Sequence, residues 1–527
     1  MTTDTISHEL EDICFGDKRV DERAKKIIES LYAGIGSGLS TSCAGKAELK
    51  AAYRFFDNNL VDTSKILNPH YKATIERIKH HKIVALVQDT TDVDMKHMKT
   101  VENLGVLNDT TRAGCTLHPV IAFTPDKLCL GAIHTRFITR NAEDLGEKKH
   151  NNSRKIEEKE SYRWIEGYRA ACHIAEECPN TLCVSIGDRE SDIFELLLEA
   201  KKEGNKAYLI ARAWHDRKID TPRSDENQKL FDESAKLIEE NKMLLEENKK
   251  ITKNTKISDL VGDKRSTFYK NKEKILNNNA KVKVSSKIVS EDENITNSFI
   301  YQLKKGKVIG RSEFIIPGGR GRESRLVKQN IRATTVTLIP SAHKKNLPSI
   351  SVNAVLLEEI EVPDNETPVC WMLLTTLPID TFDNVQLIVK LYLSRWGIEL
   401  FFKVLKSGCG IEELRFREAS RLLPCVALYM IVAWRILFIT FIGRACPDLS
   451  CSTFFEIDEW QSAYAFVMKA KPPEEPPNLG VFMSVVAILG GYQAREKQGP
   501  AGMTVIWRGI QKVYTLSEGW AAYRSYG

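Results

Sequence analysis

Tyr392-Leu-Ser-Arg395-Trp-Gly-Ile-Glu399-Leu-Phe-Phe-Lys-Val-Leu-Lys406 is the stretch on which the reading of this chain turns. Its polar residues Tyr392, Arg395, Glu399 and Lys406 are separated by three, four and seven positions. At about 100° per residue, all four fall within an arc of about 60° on one helix face. The remaining positions, including Leu387, Ile388, Leu391, Ile398, Phe401, Phe402 and Leu405, are apolar nearly all round, which predicts a buried helix. A buried helix with such a stripe needs a partner for every charge. Two arrangements meet that need. One is an internal salt-bridge ladder. The other is a metal-bound phosphodiester, with Glu399 as metal ligand, Arg395 and Lys406 against phosphates, and Tyr392 as a hydrogen-bond donor. The helical pattern begins near Asp383 and stops at Gly408 and Gly410.

Working outward, two aspartates repeat one local design. Asp89 directly follows the apolar run Ile-Val-Ala-Leu-Val, and Asp188 follows the strand pattern Leu182 to Ile186. A carboxylate at a strand end is held rigidly by the sheet and faces a cleft, as a metal ligand should. Each also has a plainer reading. Asp89 in Gln-Asp-Thr-Thr suits a turn, and Asp188 suits the cap of a helix over Asp192 to Ala200.

With 527 residues the chain is too long for one core. Net charge is +6, which permits a polyanionic partner without demanding one. Twelve cysteines show no CxxC pair, so reduced and mostly buried thiols are expected. The acidic, polar start (Met1 to Asp12) is not a secretory signal pattern. The apolar run Leu422 to Ile442 approaches membrane-spanning length, but Arg435 inside it favours a buried helix. Residues 1 to about 70 read as helical. Residues 71 to about 215 alternate strands and helices, including a helix over Ser161 to Glu177, which implies a mixed α/β sheet. From 216 to 280 the composition turns to Lys, Glu and Asn. Leu230, Leu237, Leu244 and Ile251 recur there every seven residues beside Asn241 and Asn248, which suits a short coiled coil or a solvated helix within linker. Strands are expected at Lys281 to Val289, Ser298 to Leu303, Glu313 to Ile316, Thr334 to Ile339 and Trp371 to Thr375. A basic loop carries Arg320, Arg322, Arg325, Lys328 and Arg332. Helices follow to the end, broken by the Pro-rich Lys471 to Pro477.

Taken together, these segments resemble the DDE transposases of insertion-sequence family four. The resemblance runs through Gly16-Asp-Lys-Arg, Ala51-Ala-Tyr-Arg-Phe-Phe-Asp57, Gln88-Asp-Thr-Thr91, Lys159-Glu-Ser161, Asp188-Arg-Glu190, Asn353-Ala-Val-Leu356, and Tyr392 to Lys406 with Gly408-Cys-Gly410. The Tyr-x2-Arg-x3-Glu-x6-Lys pattern is specific to that family and intact here. The resemblance implies an α/β catalytic core of ribonuclease-H-like type, a mixed sheet with helices over 71–442. A β-rich insertion over about 216–380 would include a charged insert at 220–280. Helical domains would flank the core, a DNA-end-binding one at 1–70 and a dimerising one at 443–527. It implies that Asp89, Asp188 and Glu399 are the catalytic, metal-binding triad for two Mg²⁺ ions, with Mn²⁺ able to substitute. The expected reaction is nicking, hairpin formation at the element end, hairpin opening and strand transfer. The expected partners are double-stranded DNA, both the terminal inverted repeats and the target, and a second copy in a synaptic homodimer. A cytoplasmic, nucleoid-associated bacterial protein is implied, with no membrane.

Further positions carry over from the family. Trp371 resembles the tryptophan that receives a flipped thymine, against a plainer role as a strand-borne core aromatic. Arg212 matches an arginine near the cleaved end, and Lys406 is a phosphate or base contact. Lys46, Lys50 and Arg54, at i, i+4 and i+8, form a stripe for a phosphate backbone, or else a solvated basic face. The interval from Asp188 to Glu399 is longer than usual in the family, and the surplus is the charged stretch near 220 to 280. Two other readings remain open: a nuclease of the same fold that does not transpose, and a DNA-binding regulator with a dead site.

Overall fold

The computed structural model describes residues 3–526 apart from 96–100, 102, 109–110, 142, 144–153, 222–224, 254–256, 317–323, 365 and 494–498. Four helices come first, α1 (Lys18–Ala33), α2 (Gly38–Ser42), α3 (Lys46–Phe56) and α4 (Thr63–Lys79). Strands β1 (Ile83–Gln88), β2 (Thr91–Asp94), β3 (Gly114–Phe123) and β4 (Cys129–Ile138) follow, then α5 (Tyr162–Glu177), β5 (Leu182–Gly187), α6 (Phe194–Ala200) and β6 (Tyr208–Arg212). Helices α7 (Asp225–Thr252), α8 (Gly262–Thr296) and α9 (Phe299–Lys305) lead into β7 (Gly310–Ile316), β8 (Arg325–Leu338), β9 (Ile350–Ile360) and β10 (Cys370–Thr375). The chain ends in α10 (Phe382–Ser394), α11 (Trp396–Lys403), α12 (Ala419–Ala445), α13 (Ile457–Met468), α14 (Leu479–Leu489) and α15 (Met503–Tyr526). Two compact units result: Met1–Arg212 with Leu374–Gly527, and Ala213–Leu373.

In the first unit β1 pairs in parallel with β5, and β5 in parallel with β6. On its other edge β1 pairs antiparallel with β3, which pairs antiparallel with β4. Past Asp89 the chain resumes as β2 on the same edge of β3. The result is a mixed sheet in the order β4-β3-β1-β5-β6. Strand β3 is buried throughout, and β1 and β5 are buried in all but their first residue. Strands covered on both faces read as continuous apolar runs, which is why β1 and β5 were legible in the sequence.

Helix α12 is apolar enough to cross a membrane by length and composition, but 83% of its most apolar window is buried in the fold. Arg435 within it is 1% exposed, with Nη1 2.7 Å from Asp4 Oδ2 and its guanidinium over the Phe454 ring. Arg435 is buried while Asp4 is part-exposed, so the contact gives a buried guanidinium its counter-charge and ties the N-terminal segment to the central helix. In the last helices the apolar positions Val485, Val486, Leu489, Trp507, Ile510 and Val513 are buried within the chain itself. Val481 on α14 stays open, at 47% exposure. Those side chains complete the core of their own subunit. Eight of the twelve cysteines, among them Cys115, Cys129 and Cys183, are buried as free thiols.

The second unit corrects several expectations. Lys281 to Val289 is part of α8, and Ser298 to Leu303 is the start of α9, capped by the Ser298 hydroxyl accepting from the Tyr301 amide. The alternation in Lys-Val-Lys-Val imitates a strand. The same stretch also places Val282, Ser285 and Val289 at helical three- and four-residue steps, and packing against α7 decides between the two periods. Helices α7 and α8 form an antiparallel hairpin. Asn241 hydrogen-bonds Asn278 at 3.0 Å and Asn248 bonds Asn271 at 3.2 Å, and all four are buried. The register these pairs fix sets Leu244 beside Ile275 and Leu237 beside Val282, so polar and apolar layers alternate. Buried asparagine pairs sacrifice some stability and fix register. Strands β7, β8 and β9 form an antiparallel meander. Of the basic loop, Arg320 and Arg322 lie outside the described residues. Arg325, Lys328 and Arg332 lie on β8 and pair with Glu359, Glu361 and Glu358 of the β9 segment.

The hairpin closes at its base, where the Ile219 amide donates to the Asn297 carbonyl at 2.9 Å and Lys218 bridges Ser298. Its two ends are therefore adjacent, and a short loop can join them at little entropic cost. Replacing residues 222–296 with a four-residue turn is expected to leave the melting temperature within a few degrees and cleavage of pre-cut ends intact. Differential scanning calorimetry and a cleavage assay check this. A collapse of the meander or loss of cleavage would show that the hairpin belongs to the catalytic assembly.

Candidate active site

The parallel register brings the two aspartates together. Val87 lies opposite Ile186, so two residues further on Asp89 falls opposite Asp188 on neighbouring strands. Both sit at the carboxyl ends of the strands, where open α/β sheets form their clefts. Burial first, then the Asp188 charge, pushes the Asp89 carboxyl up to about 7, with the Thr90 amide and Arg395 opposing. Two crowded carboxylates with too little positive charge are a site that favours a cation. Asp188 also accepts from the Glu190 amide at 2.8 Å and caps a short turn over Arg189–Ser191. The expected capping role is thus real, but for that turn; α6 begins later, at Phe194.

Glu399 arrives from the opposite side on α11. Gly397 makes the approach possible, because a Cβ there would stand 2.5 Å from the Phe123 ring on β3. The helix is not regular through the polar stripe. It breaks at Arg395 between α10 and α11, then relaxes into a π turn over Val404–Gly408 that holds Lys406. Arg395 lies between two of the acids, with Nη1 3.2 Å from Asp89 Oδ2 and Nη2 2.6 Å from Glu399 Oε1. Burial opposes its charge, but Tyr392, Glu399 and Asp89 outweigh burial and keep its pKa above the ordinary value. The salt-bridge arrangement considered from the sequence is therefore present. Among the described residues, no three His, Cys, Asp or Glu side chains stand close enough together to hold a metal ion.

The remaining stripe residues are also bonded internally. Tyr392 is 4% exposed. Burial raises its pKa, while Arg212, which hydrogen-bonds the phenol, and Arg395 pull the other way. Lys406 Nζ donates to the Asp92 carbonyl at 2.6 Å and pairs with Glu412 at 3.1 Å. Lys46, Lys50 and Arg54 all lie on the exposed face of α3, opposite buried Ala52, Phe55 and Phe56. In the second unit, Trp371 on β10 stacks on Phe314 at 5.1 Å between ring centroids.

One group escaped the sequence reading. Arg163 on α5 donates from Nε to the Thr90 hydroxyl at 3.1 Å and from Nη2 to Glu190 at 2.7 Å. It thereby ties the residue after Asp89 to the residue two beyond Asp188. The Thr90 hydroxyl also lies 2.9 Å from Nδ1 of His118, whose pKa burial drives well below its ordinary value. Behind them Gln88 and Ser185 are bonded at 2.8 Å across β1 and β5. The signal was an arginine on the buried face of a helix beside Trp164 and Ile165, a position that demands a partner.

Asp89 and Asp188 thus lie at adjacent strand ends, and Arg395 links Asp89 to Glu399 on α11. Three family models match the chain: transposase DNA-binding over residues 3–61, transposase DDE domain over 227–423, and the Tn5 transposase dimerisation domain over 431–527. The chain belongs to the Tn5-like DDE transposases. Glu399 lies inside the DDE match; Asp89 and Asp188 lie outside it and rest on the strand register. A solved piggyBac transposase synaptic complex with hairpin DNA is 8% identical, with 99% of this chain and 81% of that chain covered and a TM-score of 0.32.

Arg163→Lys keeps the charge but loses the fork that reaches Thr90 and Glu190 together. Its single-turnover cleavage rate is expected to fall by at least about tenfold, at a cost of roughly 1.4 kcal/mol in barrier, with a raised Mg²⁺ requirement and unchanged DNA binding. An unaltered rate and Mg²⁺ dependence would show that the network does not position the aspartates.

Proposed function

We propose that the chain is a cut-and-paste transposase that binds the inverted ends of a bacterial insertion sequence, cleaves them through a hairpin intermediate and joins them to target DNA. The observation that carries this is the β1–β5 register, which leads to Asp89 and Asp188 at neighbouring strand ends, together with Arg395, which links Asp89 to Glu399. A ribonuclease-H-like core is supported by the order β4-β3-β1-β5-β6, antiparallel on one side of β1 and parallel on the other. Domains at 1–70, 71–442 and 443–527, with an insertion over about 216–380, fit this reading.

Asp89, Asp188 and Glu399 would hold two Mg²⁺ ions, or Mn²⁺ in their place, which supply an activated oxygen nucleophile and stabilise the leaving oxygen. The donor set is all carboxylate and suits a hard cation. Arg395 keeps Asp89 and Glu399 neutralised in the absence of DNA. On DNA binding it turns to phosphate, and Lys406 does the same from its π turn. Arg212 and Tyr392 act as a bonded pair near the cleaved end. Trp371 receives the flipped base, with Phe314 as the floor beneath its ring. Lys46, Lys50 and Arg54 run along the backbone of the element end. Pairing of two copies lets each site act on the end held by its partner. Exposed apolar residues such as Val481 and Ile488 on α14 and Tyr523 on α15 are the natural contact, since Val485, Val486, Leu489, Trp507, Ile510 and Val513 are already buried. Such a protein works on bacterial DNA in the cytoplasm.

Alanine at Asp89, Asp188 or Glu399 is expected to reduce cleavage below detection while end binding in a gel shift stays within about twofold of the parent. Losses of this size reflect a unit that fails together when any member is removed. Near-normal cleavage by Glu399→Ala in Mg²⁺ would refute the assignment.

A further inference from the structure

We propose that one flank of α8, beside its seam with α7, is a second DNA-contacting surface, one that grips the phosphate backbone of duplex DNA without reading its sequence. This rests on the chain's membership among DNA transposases and on the charge distribution of the hairpin. Between Gly262 and Ser290, α8 carries eight Lys or Arg residues against two acidic ones, whereas α7 carries eight acidic residues against five lysines. Helix α7 is thus net acidic, and two of its lysines are held by its own glutamates, Lys242 by Glu239 at 2.9 Å and Lys249 by Glu246 at 2.7 Å. On α8, Lys274 reaches across to Glu240 at 2.6 Å. Arg265, Lys272 and Lys283 have no ion-pair partner among the described residues, and all three are exposed.

These three are not scattered. Arg265, Tyr269, Lys272, Leu276, Asn279 and Lys283 follow one another at steps of four, three, four, three and four, which keeps them on one face of the helix. The positions just before them, Phe268, Asn271, Ile275 and Asn278, turn about 100° away into the seam with α7, and Asn279 at the border of the row accepts from Asn241 at 3.0 Å. From Arg265 to Lys283 the row is about 27 Å long, enough to follow roughly eight nucleotides of one strand. The alternating asparagine and leucine layers beneath it fix the register of the two helices, so the row is presented on a helix of set alignment. A second copy of the chain is a poor occupant, because pairing this row with itself would oppose like charges. A polyanion is the fitting one. Contacts of this kind position DNA and carry no base information, so the surface suits flanking or target DNA better than the element end.

The test uses the full-length protein with Arg265→Gln, Lys272→Gln and Lys283→Gln combined. Binding to a long duplex of arbitrary sequence is followed by fluorescence anisotropy across a salt series. The slope of log K against log salt is expected to become shallower by roughly 0.9 per residue removed, while binding to a short duplex confined to the element end is unchanged. A control with Lys229→Gln, Lys236→Gln and Lys250→Gln on α7 is expected to keep the parental slope. If the triple variant fails to fold by circular dichroism, Lys272→Gln alone should remove about one unit of slope. An unchanged slope for the α8 variant, or an equal loss in the α7 control, would overturn the proposal. So would a shift in sedimentation without DNA, which would make the row a protein contact. Binding is read independently of cleavage, so failure here leaves the catalytic assignment standing, and failure there leaves this one.

Discussion

The parallel pairing of β1 with β5 is the constraint from which the rest of the site follows. Hydrogen bonding between the strands fixes Val87 against Ile186, and the backbone then carries Asp89 and Asp188 to neighbouring positions at the sheet edge. Neighbouring strands are about 4.8 Å apart, so two carboxylates so placed repel unless something positive lies between or beside them. The fold answers with Arg395 against Asp89 and with Arg163 tying the two strand ends through Thr90 and Glu190. Removing Arg395 would leave the largely buried Asp89 carboxylate less compensated, whereas Arg163 acts by holding the two strand ends in place.

The same arrangement accounts for the double character of the polar stripe on α10 and α11. In the sequence, Tyr392, Arg395, Glu399 and Lys406 suited either an internal ladder or a phosphate-binding face. The structure has the ladder, with Arg395 on Glu399 and Lys406 on Glu412. In the proposed mechanism the two readings are successive states of one set of side chains. The cations that neutralise the acids when DNA is absent are those free to turn to phosphate when it is present. The break at Arg395 and the π turn around Lys406 loosen the helix at the residues that would have to move.

Much of this was legible in the sequence because the informative residues obey local rules. Strands β1 and β5 are largely apolar runs, and each is followed at once by Asp. The polar stripe could be named from its spacing, whereas the triad came from the family resemblance. Arg163 could not, because its importance comes from two contacts, one 73 and one 27 positions away in the chain. Helix α8 was misread over Lys281 to Val289 because a few residues satisfy both a two-residue and a helical period. The buried Asn241 and Asn278 pair that settles the matter is a tertiary contact. The terminal helices show a related limit. Val485, Val486, Ile510 and Val513 form an apolar face, but sequence does not say whether such a face meets its own chain or another, and here it meets its own.

Metal-directed cleavage of the polypeptide measures the central claim most directly. Fe²⁺ with ascorbate and peroxide cuts backbone close to wherever the ion is held, whether or not the enzyme turns over. The account predicts three clusters of cuts, around Asp89, Asp188 and Glu399, suppressed by excess Mg²⁺ and lost together in Asp188→Asn. Cuts confined to one of these segments, or clustered elsewhere and indifferent to Mg²⁺, would contradict a single metal-binding unit built from the three carboxylates.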